Sequence, residues 1–136
     1  LGNLDPRAAT PGEIVPGDDF YSYDDKYVSD QSVAVIPAPI DDNALAEAKE
    51  LAVRTYRALR CEGLSRVDFF WEDPADSTGR GRGFLCNEVN TMPGFTPISM
   101  FPKMWIADGV SYSEIIDRLV DLALERHGRR RRNTSH

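Results

Sequence analysis

Cysteine is nearly absent: Cys61 and Cys86 are the only two, and they share no metal-ligand spacing. Such a pair reads as two ordinary thiols in a reducing compartment, which points to the cytoplasm rather than to a disulfide scaffold. No apolar run approaches the ~18 residues that a membrane helix needs. No charged-then-apolar segment of the secretory kind opens the chain. The sequence also lacks an initiator methionine, opening on LGNLDP, so an N-terminal part of a larger protein is expected to be absent. The one glycine-rich stretch, GRGRG from residue 79, carries neither a Lys-Ser/Thr end nor a following helical pattern. That removes a phosphate loop and leaves a hairpin connection. Internal repeats are also missing.

Positive charge is scarce and unevenly placed. The formal net charge is −6, and four of the sixteen lysines and arginines form the run Arg129 to Arg132. The body is thus more acidic than the total suggests, which argues against nucleic acid as the main partner. The terminal run can meet a polyanion, but a like-charge block at a chain end is ordinarily a disordered, solvated tail. Residues 129–136 are therefore expected to be such a tail.

What is present is enough for one domain: 136 residues, 41% of them hydrophobic. The segment from Val15 to Tyr27, VPGDDFYSYDDKY, has no period and many turn formers, so residues 15–31 read as a mobile loop. Loops of that length are uncommon in a compact domain unless they serve as lids. Phe20, Tyr21, Tyr23 and Tyr27 suggest that it folds down on something. SVAVIPAPI follows as a short extended piece stopped by Pro37 and Pro39.

Next, Leu45, Ala48, Ala52, Tyr56 and Leu59 recur every three or four residues, behind Asp41 or Asp42 as a cap and ahead of Gly63. This pattern predicts a helix. LSRVDFFWED and GFLCNEVN read as two strands joined by the loop at 74–83. A short helix is expected within SMFPKMWIADG, and a longer one within SYSEIIDRLVDLALERHG. In the longer one Ser111 and Glu114 make a capping box. Ile115, Leu119, Leu122 and Ala123 form its buried stripe, with Arg126 and His127 at its end. The resulting class is α+β, an antiparallel element with flanking helices.

The chemistry concentrates in the two strands and the turn after them, NEVNTMPGFTPISM, residues 87–100. Alternation puts Glu88 and Asn90 on one face, and Arg66, Asp68 and Phe70 on one face of the preceding strand. If the strands pair as a hairpin, two carboxylates and an amide oxygen meet. Three hard oxygen donors suit Mg²⁺, and the lack of histidine or cysteine in the group argues against zinc. The simpler alternative is that Asp68 and Glu88 pair with Arg66 and ordinary surface cations. Arg66 can stabilise a developing oxyanion. Phe70 can pack in the core or floor a flat ring such as a purine; packing is the simpler reading. Gly94 can present a backbone N–H at close range. Ser99 is either a plain helix cap or, with the N–H groups behind it, a small carboxylate receptor.

Together RVDFFW and NEVNTMPGFTPISMFPKMW closely resemble the C-terminal part of the D-alanine–D-alanine ligases, members of the ATP-grasp superfamily. PGEI and FYSYDDKY resemble that family's approach to its mobile loop. The resemblance runs from residue 1 to about 127. It implies the C-terminal portion of an ATP-grasp domain over residues 1–128. It also implies ATP as cosubstrate and two Mg²⁺ ions, with Mn²⁺ a possible substitute. Asp68, Glu88 and Asn90 match the metal ligands, Glu88 as the bridge. Arg66 and the Gly94 backbone match the oxyanion pair, and Ser99 with the Met100 N–H matches the holder of the second D-alanine's carboxylate. Lys26, Phe70, Asn87 and Glu88 fall on the nucleotide side. Tyr27 matches a catalytic loop residue, and a tyrosine there favours an amine over D-lactate as second substrate.

The implied reaction joins two D-alanines through an acyl phosphate, for peptidoglycan synthesis. The partners implied are D-alanine, ATP, the N-terminal and central domains of the same protein and, at full length, a second copy in a homodimer. Neither a nucleic acid nor a membrane is among them. The fragment alone is expected neither to hold ATP tightly nor to turn over. Two alternatives stand beside this: another ATP-grasp carboxylate–amine or D-alanine–D-lactate ligase, and a non-enzymatic cation- or polyanion-binding module that uses the arginine run.

Overall fold

The computed structural model describes residues 1–15 and 33–133. Its elements run β1 (Glu13–Val15), β2 (Val33–Val35), α1 (Asp42–Ala58), β3 (Arg66–Glu72), β4 (Gly83–Asn90), α2 (Met100–Ala107) and α3 (Tyr112–Asn133). Two antiparallel two-stranded sheets result, β1 with β2 and β3 with β4, so the α+β expectation holds. Val15 belongs to β1. The rest of the expected loop, with Lys26 and Tyr27, lies outside the described residues.

Helix α1 starts where the sequence places it. The Asp41 carboxylate accepts from the N–H groups of Asn43 and Ala44 at 2.8 and 3.0 Å, satisfying two of the donors that a helix start leaves open. Its end comes earlier than Gly63. Leu59 is the C-cap, and Arg60 takes the left-handed φ of 54° instead of a glycine. The buried face is Ala44, Ala48 and Tyr56, and Leu59 is exposed. Gly63 instead ties the N-terminal segment to the end of α1. Its N–H donates to Gly2 O at 2.9 Å, and Asn3 Oδ1 accepts from the same N–H at 3.2 Å. The Tyr56 hydroxyl reinforces this tie by donating to Gly2 O at 2.7 Å.

The core lies between α2 and α3. Phe101, Trp105, Val110 and Ile115 are buried together, with Leu1, Ala9, Leu64, Phe95 and Leu119 packed around them. The predicted capping box forms. Glu114 accepts from the Ser111 N–H at 2.8 Å, and the Glu114 N–H donates back to Ser111 Oγ at 3.3 Å. The Ser111 hydroxyl and N–H hold the Glu114 carboxyl below its ordinary range. Ala123 is exposed and leaves the predicted stripe.

Residues 129–133 correct the expected tail: α3 runs to Asn133. This part of the helix has a long-range partner. Glu62, in the segment after α1, takes Arg126 Nε and Arg129 Nη2, each at 2.6 Å. Glu125 adds an i,i+4 pair with Arg129 at 3.5 Å.

Candidate functional site

The β3–β4 ladder fixes the site. Arg66 pairs with Asn90, Val67 with Val89 and Asp68 with Glu88; then the register shifts, and Phe69 pairs with Cys86. Residues directly opposite share a face, so Arg66, Asp68, Glu88 and Asn90 sit together on one side. The shift leaves Asn87 as the extra residue of a β-bulge, a device that re-aims a side chain beside a functional site. Beyond it Phe70 pairs with Leu85, so Phe70 keeps to the Asp68 side.

Two carboxylates on facing strands repel unless something neutralises them. Here Arg66 does so. Its Nε and Nη2 donate to the two oxygens of Asp68 at 2.7 and 2.8 Å, and Nη2 also reaches Glu88 Oε1 at 3.4 Å. One guanidinium thus spans both acids. Asn90 ends β4 with its amide oxygen turned to the following chain, accepting from the Met92 N–H at 3.0 Å. Among the described residues no three His, Cys, Asp or Glu side chains cluster as a metal site. The third oxygen here is an amide's. The donor set of two carboxylates and one carboxamide is all hard oxygen and fits Mg²⁺, which takes one or two carboxylates and leaves its other positions to water and phosphate.

A groove of about 820 Å³ adjoins these groups, with Arg66, Asp68, Phe70, Asn87, Glu88 and Met100 in its lining. Phe70 is 62% exposed. Among the described residues Phe70 is therefore not packed in a core, and its ring lies open on the Asp68 side. Alternation assigned Phe70 its face but could not tell what covers it.

The turn after β4 brings Gly94 and Ser99 together. A Cβ on Gly94 would stand 2.9 Å from Ser99 Oγ, so glycine leaves room for the hydroxyl in this orientation. Ser99 is the N-cap residue of α2, yet its side chain makes no capping bond. Instead Thr96 holds it: the Thr96 N–H donates to Ser99 Oγ at 3.1 Å, and the two hydroxyl oxygens stand 2.8 Å apart. Sequence reasoning missed Thr96. The signal was available, since Pro97 sits at the second position of a β-turn closed by Ser99 N–H to Thr96 O at 2.9 Å. Met100 is the first residue of α2; N–H groups of a first helical turn have no partner within the helix. Lys26 and Tyr27 lie outside the described residues.

Comparison with known proteins shows the family. The family model described as D-ala D-ala ligase C-terminus matches residues 1–121. A D-alanine–D-alanine ligase of Chlorobaculum tepidum is 48% identical over 126 residues, covering 93% of this chain and 33% of the relative. The chain spans about a third of the length of the curated relatives it matches. Among solved structures, the D-alanine-D-alanine ligase from Coxiella burnetii superposes with a TM-score of 0.76 at 32% identity, over 97% of this chain and 32% of that one. The VanG D-Ala:D-Ser ligase from Enterococcus faecalis gives 0.72 at 38%, over 90% and 34%. With carboxylates, amide, turn and hydroxyl arranged as described, the chain belongs to the D-alanine–D-alanine ligase family, as its C-terminal part.

Proposed function

We propose that this chain forms the metal-binding and second-substrate side of an ATP-dependent ligase that joins two D-alanines. Linking two amino acids in water is uphill and has to be coupled to a phosphoryl donor. The carboxylate of one D-alanine takes the γ-phosphoryl of ATP to give an acyl phosphate. The amine of the second D-alanine then attacks that carbonyl, and phosphate leaves. An ATP-driven reaction and free thiols at Cys61 and Cys86 fit the cytoplasm.

The observation that carries this reading is the rung pairing Asp68 with Glu88, Asn90 two residues on and Arg66 beside both. Asp68, Glu88 and Asn90 would hold two Mg²⁺ ions, or Mn²⁺ in their place. The ions would supply positive charge against the phosphate oxygens. Arg66 and the Gly94 N–H face the oxyanion that forms as the amine attacks. Ser99 and the Met100 N–H receive the carboxylate of the second D-alanine. Asn87, re-aimed by the bulge, lies on the nucleotide side, and Phe70 supports the adenine.

The test is phosphate release by a full-length ligase that carries this chain as its C-terminal third. Release is expected with D-alanine, accompanied by D-alanyl-D-alanine. Release with D-lactate or D-serine but not with D-alanine alone would overturn the substrate assignment. ATP binding without release would favour a plain binding module.

Phe70 gives a second check. It is already exposed, so Phe70→Ala should change folding stability by no more than about 0.5 kcal/mol. Losing its ring contact should raise the KM for ATP by about three- to tenfold, at about 1 kcal/mol per aromatic contact. A thermal melt and ATP titration of the same variant separate the two effects. An unchanged KM would remove Phe70 from the nucleotide site.

A further inference from the structure

We propose that Thr96 is a positioning residue: it turns the Ser99 hydroxyl away from the helix it precedes and leaves its proton directed at the carboxylate of the second substrate. The inference rests on the ligase reading above for the identity of that carboxylate.

A serine before a helix ordinarily turns its oxygen inward, to accept from the N–H of the second or third helical residue. In α2 those residues are Phe101 and Pro102. Proline has no N–H, so one of the two usual donors is missing. The other goes unused, since Ser99 makes no side-chain cap bond.

The oxygen is occupied elsewhere. A hydroxyl has two acceptor lone pairs and one proton. The Thr96 N–H fills one lone pair at 3.1 Å. The Thr96 hydroxyl, 2.8 Å away, fills the second when it donates. Both acceptor positions are then taken, and the remaining proton of Ser99 has an anion as its natural partner. Gly94 leaves room for this arrangement, since a Cβ there would stand 2.9 Å from Ser99 Oγ. Met100 follows as the first residue of α2, and an N–H in a first helical turn has no partner within the helix.

The variants Thr96→Val and Thr96→Ser separate this role from simple packing. Thr96 is exposed, so neither change opens a core cavity. Valine keeps the backbone N–H and the shape but removes the hydroxyl; serine keeps the hydroxyl and removes a methyl group. In a full-length ligase carrying this chain, Thr96→Val should raise the KM for the second D-alanine at least about tenfold, the loss of one hydrogen bond to a charged group. The KM for ATP should stay within about twofold, and Thr96→Ser should restore most of the loss. An unchanged second-site KM, a serine variant as impaired as the valine variant, or an equal rise in the KM for ATP would each overturn the proposal.

A crystal structure of the Thr96→Val protein reads the same point without turnover. Ser99 Oγ is expected to swing toward the Phe101 N–H. A hydroxyl still in its original direction would overturn the positioning role even in an active ligase. If the unaltered protein makes no dipeptide, the ligase reading fails, and this structural outcome still decides whether Thr96 sets the hydroxyl.

Discussion

Glu88→Gln is expected to abolish ligase turnover at ordinary Mg²⁺ concentrations, with partial recovery when the metal is raised. The substitution keeps the shape and one carbonyl oxygen but removes a full negative charge from a site proposed to hold divalent cations. Charge stabilisation by such a cation is worth several kcal/mol. At about 1.4 kcal/mol per factor of ten, the loss in kcat is on the order of 10²–10⁴. Folding should be nearly untouched. Glu88 is about half exposed, and its ion pair with Arg66 is 3.4 Å long, the kind of contact worth about 0–1 kcal/mol. Turnover measured against Mg²⁺ concentration, with a melting curve beside it, distinguishes a lost ligand from a lost fold. Unchanged activity would show that Glu88 is no ligand.

Arg66→Ala should act on two quantities in opposite directions. If Arg66 is the proposed donor to the tetrahedral oxyanion, its removal should cost a factor of about 10²–10³ in kcat. In the structure it is also the counter-charge to Asp68 and Glu88, reaching both from one guanidinium. A metal ion placed between those acids competes with Arg66 for the same oxygens. Removing Arg66 should therefore slow the reaction while tightening Mg²⁺ binding. A variant that slows and also binds Mg²⁺ more weakly would mean that Arg66 serves to organise the metal site. A near-normal rate would take it out of the mechanism.

Much of this site was legible because strands alternate. The pattern of Arg66, Asp68 and Phe70 against Glu88 and Asn90 needs only a period of two and one hairpin, and the ladder has that pairing. Local signals were equally reliable at helix starts: Asp41 caps α1, and Ser111 with Glu114 begins α3. Other features escaped for physical reasons. The bulge at Asn87 is a two-against-one count, which no single strand displays. The exposure of Phe70 depends on what lies over its face, and alternation is silent about cover. The helical state of residues 129–133 comes with an ion pair from Arg129 to Glu62, 67 positions earlier; a local charge pattern shows only a run of like charges. The end of α1 belongs with these, since Gly63 was recruited by Gly2 and Asn3 rather than by the helix.

The balance at the centre of the site is electrostatic. Asp68 and Glu88 face each other across one rung, and nothing in the strand itself favours that. Arg66 offsets the repulsion here. The proposed metal site would put a divalent cation where Arg66 now lies, and Gly94 and Ser99, proposed as donor and carboxylate holder, follow within a few residues.

The most direct measurement is a crystal structure of a full-length ligase carrying this chain, with ATP and Mg²⁺ bound. Oxygens of Asp68, Glu88 and Asn90 are expected about 2.0–2.1 Å from the metal, with Arg66 drawn off the two carboxylates. Metal held wholly by other side chains, with Arg66 still spanning Asp68 and Glu88, would contradict the account.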